Sequence, residues 1–238
     1  MRHAVHRLTT PFSAAVAALA LVSAVPAFAG SSSQHDTARD AQDRVSDAVG
    51  LVQQMKQDPS LATVLQQAKG IFIIPHYGKG GFVVGGQGGG GVVLAKHDSE
   101  WSSPAFYSIA GGSIGAQAGG EGGASAMILM TQKAVNRFER STGSWSLNGT
   151  AGLTVVNWSG KTQANTVHNG RDDVIVWTNT KGLYGGLTVG VQQISPDTDM
   201  DQAYYQRPVS SAEILAGNVS SPGADTLRNA LASRVASR

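Results

Sequence analysis

The sequence predicts an α+β fold: a strongly bent, mainly antiparallel, glycine-rich sheet with N-terminal, inserted and C-terminal helices. Three observations lead there. From Ala68 to Gly120 glycine alternates with β-forming residues. Glycine costs about 1 kcal/mol against alanine inside a helix, whereas Ile71, Phe72, Ile73, Ile74, Phe82, Val83, Val84, Val92 and Val93 suit a pleated, half-buried surface. Apolar residues at helical spacing precede and follow this stretch. Further short apolar runs are separated by Gly, Asn, Asp or Ser, without the fixed period of a solenoid or propeller. Thirty glycines in 238 residues demand a reason inside strands, either bulges, sharp bends, or close approach of a backbone or ligand.

In chain order, residues 1–29 read as a secretory signal. Arg2 and Arg7 make a basic start, Ala14 to Val25 an apolar centre too short to span a bilayer, and Ala27-Phe28-Ala29 a cleavage site before Gly30. Residues 30–35 read as a polar linker, and 36–238 as a single domain. From Asp36 to Gln57, Ala38, Ala41, Val45, Ala48, Val49, Val52 and Met55 recur at helical spacing. Asp58 is placed as an N-cap with Pro59 at N1, Leu61, Val64, Leu65 and Ala68 form one face, and Gly70 is expected to stop the helix. Strands are expected in the apolar runs at 71–74, 82–95, 104–119, 124–131, 145–156, 174–179 and 183–194, with Asn169-Gly170 as a hairpin turn. A shorter helix fills Gln132 to Arg140 with Ala134, Val135 and Phe138 inward. Ser210 and Glu213 form a capping box, and Ser221-Pro222 opens a last helix around Leu227 and Leu231.

Charge and composition exclude several function classes. The chain has 18 Lys and Arg against 16 Asp and Glu. The leader holds two of the arginines and no acid, so the chain without it is formally neutral, and no nucleic-acid partner is expected. The absence of cysteine excludes disulfides, thiol catalysis, thiolate metal sites and a lipidated cysteine at the cleavage site. Gly111-x-Ser113-x-Gly115 matches the nucleophile elbow of serine hydrolases. That motif needs a following helix and a downstream acid and histidine, yet only His168 lies downstream and glycines follow Ser113, so no catalytic residue is assigned. Gly111, Gly115, Gly119 and Gly123 match a membrane glycine zipper, but Gln117 and Glu121 interrupt it. Gly86-x-Gly88-x-x-Gly91 matches a dinucleotide fingerprint, but Val92 to Leu94 continue as strand where a helix must begin. Gly160-Lys161-Thr162 lacks the first glycine of a phosphate loop. His35, His76, His97 and His168 form no close pair, and Asp172-Asp173 and Asp197, Asp199 and Asp201 read as solvated turns. No metal or cofactor is expected.

The blocks AKGIFIIP, GKGGFVVGGQGGGGVVL, WSSPAFYSIAGGSIGAQAG and GLYGGLTVG, the last followed by Tyr204 and Tyr205, occur in order at compatible spacing from about Asp58 to Tyr205. On these residues the chain resembles the SYLF-domain family of lipid-binding proteins, in an exported bacterial branch. The resemblance implies a non-enzymatic, membrane-associated lipid-binding protein of the periplasm or cell envelope, contacting phospholipid or fatty acyl groups. Eukaryotic members of that family bind phosphoinositides and help organise actin. For an exported chain no actin partner is expected. The alternatives are a structural or surface-interaction envelope protein and a serine hydrolase using Ser113.

Anionic headgroups gain from converging cations, so the expected lipid contacts are Lys69, Lys79, Lys133, Arg137 and Lys181 with Gly80, Gly81 and Phe82. Gly85 and Gly86 are read as positions that need backbone freedom. Trp101, Tyr107, Trp145, Trp158 and Trp177 are candidates either for a headgroup interface or for the core.

Overall fold

The computed structural model describes residues 29–81, 84–114, 120–147, 153–158, 172–179 and 192–233. Helix α1, Ala29–Met55, takes in the residues read as a linker. Serine, glutamine and histidine are tolerated in a helix, and no proline falls between Pro26 and Pro59. Its buried face is Ala41, Val45, Ala48, Leu51, Val52 and Met55, which is the predicted stripe with Leu51 added and with Ala38 and Val49 half-buried at its margin. Helix α2, Pro59–Gln67, starts where Asp58 Oδ1 accepts the N–H groups of Ser60 and Leu61, at 2.9 and 3.3 Å. It stops at Ala68, whose ψ is already extended, rather than at Gly70.

Gly70 opens β1, Gly70–Gly81, which is followed by β2, Val84–His97, β3, Glu100–Trp101, β4, Ala105–Ile114, and β5, Gly120–Leu129. Helix α3, Gln132–Glu139, buries Ala134, Val135 and Phe138 as expected. Short strands β6, Trp145–Ser146, and β7, Val155–Asn157, precede β8, Val174–Thr178, and β9, Gln192–Pro196. Helix α4, Thr198–Tyr205, leads to α5, Ser211–Leu215, which carries the Ser210–Glu213 capping box. A 3-10 turn, Pro222–Ala224, then opens α6, Asp225–Ala232, with Leu227 and Leu231 buried. The order across the sheet is β6-β9-β4-β2-β1-β5-β8-β7, with β3 paired to β2. All described pairings are antiparallel except β7 with β8. The Asn169-Gly170 turn lies outside the described residues.

The central strands read as unbroken apolar runs because both sheet faces are covered. One face carries Ile71, Ile73, Val92, Leu94, Phe106, Ala126, Ile128 and Ile175 against α1, α2 and α6. The other carries Phe72, Ile74, Val93, Tyr107, Ile109, Met127, Leu129, Val174 and Val176 against α3 and α5. There Phe72, Tyr107, Phe138 and Trp145 stack edge to face in succession, and the Tyr107 hydroxyl donates to the Phe138 carbonyl at 2.9 Å.

A β1 bulge imposes two of the glycines in the run. The register against β2 shifts between Ile73 and His76, at Pro75, a residue that cannot donate to a ladder. The carbonyls of Ile73 and His76 then project at β2. A Cβ on Gly91 would fall inside 3.0 Å of the Ile73 oxygen, and one on Gly89 would do the same at His76. A Cβ on Gly88 would likewise fall inside 3.0 Å of the Ile109 oxygen of β4, and one on Gly90 would meet the guanidinium of Arg44 from α1. Close approach of backbone, not of a ligand, therefore accounts for residues 88, 89 and 91. Gly86 differs from the expectation, since a Cβ there meets nothing within 4 Å.

Two groups of acids depart from the solvated turns expected of them. Asp197 is the N-cap of α4, accepting the Met200 N–H at 3.2 Å, and Asp201 in the same helix is fully buried. Asp173, also buried, accepts the Thr131 hydroxyl at 2.6 Å, the Thr154 N–H at 2.9 Å and the Lys133 ammonium at 3.2 Å. Asp197 is a local cap, whereas Asp201 and Asp173 leave no periodic signature because each serves backbone and hydroxyl donors from other segments.

Candidate functional site

Beyond the bulge the four central strands continue as nearly bare backbone, and their registers define the two faces of that end. On the α1 side, Ala110, Gly88, Gly78 and Gly122 form one row across β4, β2, β1 and β5, and Gly112, Gly86, Gly80 and Gly120 form the next. Alternation at period two makes these eight positions one patch almost without side chains. Gly78, Gly86, Ala110 and Gly122 are exposed. On the opposite face a polar row crosses five strands, with Gln192, Gly111, Gln87, Lys79 and Glu121 in register.

Gln192 is 1% exposed, and neither end of its amide completes a hydrogen bond among the described residues. The Tyr77 hydroxyl approaches it without reaching normal hydrogen-bond geometry. Burial pushes the Tyr77 pKa up to about 12, against a smaller downward pull from Gln192. Tyr77 is on β1 and Gln192 on β9, with β2 and β4 between them. Side chains from such distant strands meet only because the sheet curls toward this face. Neither residue belongs to a motif, and no local signal in the sequence pairs them.

The expected lipid-contact residues divide between two ends of the sheet. Lys69 is exposed on the α2–β1 connection, and its N–H donates to the Leu129 carbonyl at 2.8 Å, so it sits beside the junction of β5 with α3. Lys133 and Arg137 belong to that same α3. Lys133 is ion-paired with Asp173, and the Arg137 guanidinium lies 5.2 Å from the centre of the Trp145 ring. Lys79, Gly80 and Gly81 form the far end of β1. At about 3.3 Å per residue, Lys79 is roughly 30 Å from Lys69. The two lysines therefore do not flank one site. Phe82 and Lys181 lie outside the described residues. Of the aromatic candidates, Trp101, Tyr107 and Trp145 are buried in the core, while Trp158 and Trp177 are half-buried beside it.

Among the described residues, the short motifs sit in geometry other than the one their chemistry needs. Ser113 is inside β4 with Gly85 as its cross-strand neighbour, and the next described element is strand β5, where an elbow requires a helix. Gly86 to Gly91 likewise lies within β2. Gly111 and Gly123 are in strands, not in a zipper helix, and Gly115 and Gly119 are outside the described residues. A cleft of about 430 Å³ opens between the β2–β3 turn and the segment after α5, lined by His97, Asp98, Glu100, Trp101 and Arg228. Its His97 Nε2 is 2.6 Å from the Leu215 carbonyl, and Arg228 Nε donates to the Trp101 carbonyl at 2.8 Å. These side chains join elements of the frame rather than form a nucleophile–base pair. No described helix is long and apolar enough to cross a membrane.

A protein-family model described as "Ysc84: Las17-binding protein actin regulator" matches residues 110–234, more than half of the chain and extending through α6. Protein YSC84 of Saccharomyces cerevisiae is 31% identical over 174 residues, 72% of this chain and 37% of the relative. An SH3 domain-containing protein of Schizosaccharomyces pombe is 28% identical over 176 residues, 73% of this chain and 41% of its own length. LAS seventeen-binding protein 3 of Saccharomyces cerevisiae is 31% identical over 174 residues, covering 72% and 38%. The chain thus spans about two fifths of the length of these relatives. The description of the family model names an actin regulator and the relatives' names a binding protein and an SH3 domain, which overturns the expectation that actin would be no partner. That expectation rested on the leader, and a compartment inferred from a leader says nothing about which surfaces a fold retains. Matched by the family model over the second half of its length, and built as the curled α+β sheet that its motifs predict, the chain belongs to the Ysc84, or SYLF-domain, family.

Proposed function

We propose that this chain is a non-catalytic binding module, exported to the cell envelope, that contacts anionic phospholipid or fatty acyl groups first through the sheet end carrying Lys69. One observation supports this site above the others. Lys69 is exposed beside α3 and enters none of the ion pairs among the described residues, whereas Lys133 is neutralised by Asp173 and Arg137 is folded over Trp145. The leader-like residues 1–29 support export. The altered pKa values among the described residues belong to phenols shifted by burial, to groups hydrogen-bonded into the frame and to an exposed cap, which favours binding over catalysis.

A cation near an anionic surface contributes about 1 kcal/mol, so reversing its charge removes about 2 kcal/mol, or ~30-fold in affinity. Lys69→Glu is expected to weaken binding to vesicles containing anionic phospholipid to that extent. Lys79→Glu, at the other end of β1, is expected to leave it nearly unchanged. Wild-type binding should also decline with salt, since exposed charges are screened beyond about 10 Å at 0.1 M. Vesicle co-sedimentation measures both, and a protein that ignores all anionic and neutral phospholipid vesicles would sink the proposal.

A second reading, contact with actin or with an actin-regulating protein, is favoured by the description of the matching family model. It is tested by co-sedimentation of the purified chain with actin filaments. The expected result is enrichment in the pellet that saturates with filament concentration, and the same pelleted amount with and without filaments would remove this reading.

A further inference from the structure

Asp201, in α4, has no exposed surface, yet its carboxyl joins three elements. Oδ1 accepts the Phe106 N–H of β4 at 2.8 Å, and Oδ2 accepts the Ser211 hydroxyl at the start of α5 at 2.7 Å. The surrounding groups offer it no counter-charge. On its own helix, the Asp197 carbonyl accepts the Asp201 N–H, and the Asp197 carboxylate, 3.9 Å from Arg44 of α1, repels a second negative charge. On β4 the hydroxyl of Tyr107 is spent on the Phe138 carbonyl, and at the end of α4 that of Tyr205 is spent on the Pro104 carbonyl. Both phenols are pushed up by burial. Glu139 of α3 acts on Tyr107, and Arg207, beyond α4, acts on Tyr205. None of the ion pairs among the described residues includes Asp201.

We propose that Asp201 is a proton-operated clasp: protonated, it holds α4 and α5 on β4, and ionised, it releases them. A neutral carboxyl can accept the Phe106 N–H while sharing a proton with the Ser211 oxygen, so both bonds survive protonation. An ionised one would be a buried anion without a cation, which is costly in a dry interior. Release would loosen one wall of a cleft of about 440 Å³ that α4 shares with α1, lined by Val45, Val49, Tyr204 and Gln206. The clasp therefore controls a surface distinct from the sheet end at Lys69.

The titration fits that geometry. Burial, reinforced by Asp197, raises the Asp201 pKa from 3.8 to about 7 against the downward pull of its two hydrogen bonds. A folded-state pKa above the unfolded one means that the folded chain binds more protons between those values. Its contribution is thus full below 3.8, declines as pH rises, and levels off above about 7.

The test uses the full chain. Between pH 5 and pH 8 this one group is expected to raise the unfolding equilibrium constant by on the order of 100-fold. Urea unfolding should show that rise in the wild type and lose it in Asp201→Asn, whose amide keeps an acceptor for Phe106 and gains a donor for Ser211. Amide exchange, corrected for its intrinsic pH dependence, should accelerate in α4 and α5 ahead of β1. Equal pH dependence in the two proteins, or acceleration shared evenly with β1, would overturn the proposal. If the variant does not fold, the carbon-13 shift of the Asp201 carboxyl in wild-type protein decides: a midpoint near 7 supports the clasp, and one below 5 removes it.

Discussion

Gly91→Ala is expected to destabilise the protein by about 3 kcal/mol or more, at the upper end of what overpacking a rigid site costs. The added methyl would fall inside 3.0 Å of the Ile73 carbonyl oxygen, with Phe72 also in its way. That oxygen belongs to the main chain at the β1 bulge, flanked by strands on both sides, so it cannot move aside as a flexible side chain could. Gly89→Ala should behave alike, because it meets the His76 carbonyl. Gly86→Ala and Gly78→Ala meet nothing within 4 Å and carry no positive φ. They are expected to be neutral, or stabilising by about 0.5 kcal/mol through a less flexible unfolded chain. Urea unfolding monitored by tryptophan fluorescence separates the two groups. Equal midpoints for Gly91→Ala and Gly86→Ala would mean that the bulge does not impose the glycines.

Asp173→Ala is expected to cost about 3 kcal/mol at neutral pH, because it removes the acceptor of the Thr131 hydroxyl and of the Thr154 N–H in a part-buried site. The magnitude comes chiefly from the Thr131 hydroxyl and the Thr154 N–H. Lys133 adds little, since its side chain is 58% exposed and water screens such a pair. Burial alone would raise the Asp173 pKa, but the bonds from Thr131, Thr154 and Lys133 outweigh it and hold the carboxyl below its ordinary value. The stabilisation is therefore present above the ordinary carboxylate pKa and lost as pH falls through the lowered one. Wild type and Asp173→Ala should differ widely at pH 7 and converge in strong acid. An equal gap at both would show that packing, not the ionised carboxylate, sets the cost.

These two expectations come from parts of the chain that were unequally legible. The glycine run announced close backbone approach, and Pro75 marked where the ladder would break, yet which glycines are indispensable depended on where two carbonyls point. Residues 89 and 91 are indispensable, whereas Gly86, two positions before Gly88 in the same run, is free. The acids at 173, 197 and 201 looked like polar turn residues because nothing in their neighbours at short range distinguishes a capping or buried carboxylate from a solvated one. The candidate lipid site was legible as a set of cations and illegible as a place, since Lys69 and Lys79 are ten residues apart on a strand that carries them to opposite ends of the sheet.

By itself the sequence determined the elements and their caps: the α1 stripe, Asp58 and Pro59 at α2, the inward face of α3, the Ser210–Glu213 box, the strand character of the glycine-rich blocks, and through those blocks the family. These features are written in a chain's relation to its own backbone, where side-chain spacing matches a helical or pleated period and a cap answers an N–H three residues away. Only the tertiary structure decided that the linker residues continue α1, that the bulge imposes the glycines at 89 and 91, that Gln192 approaches Tyr77 across the curled sheet, and that Asp201 holds β4 to α5. Burial, steric exclusion and the cost of a charge depend on atoms from segments that can lie more than a hundred residues away, and no local pattern records which of them arrive.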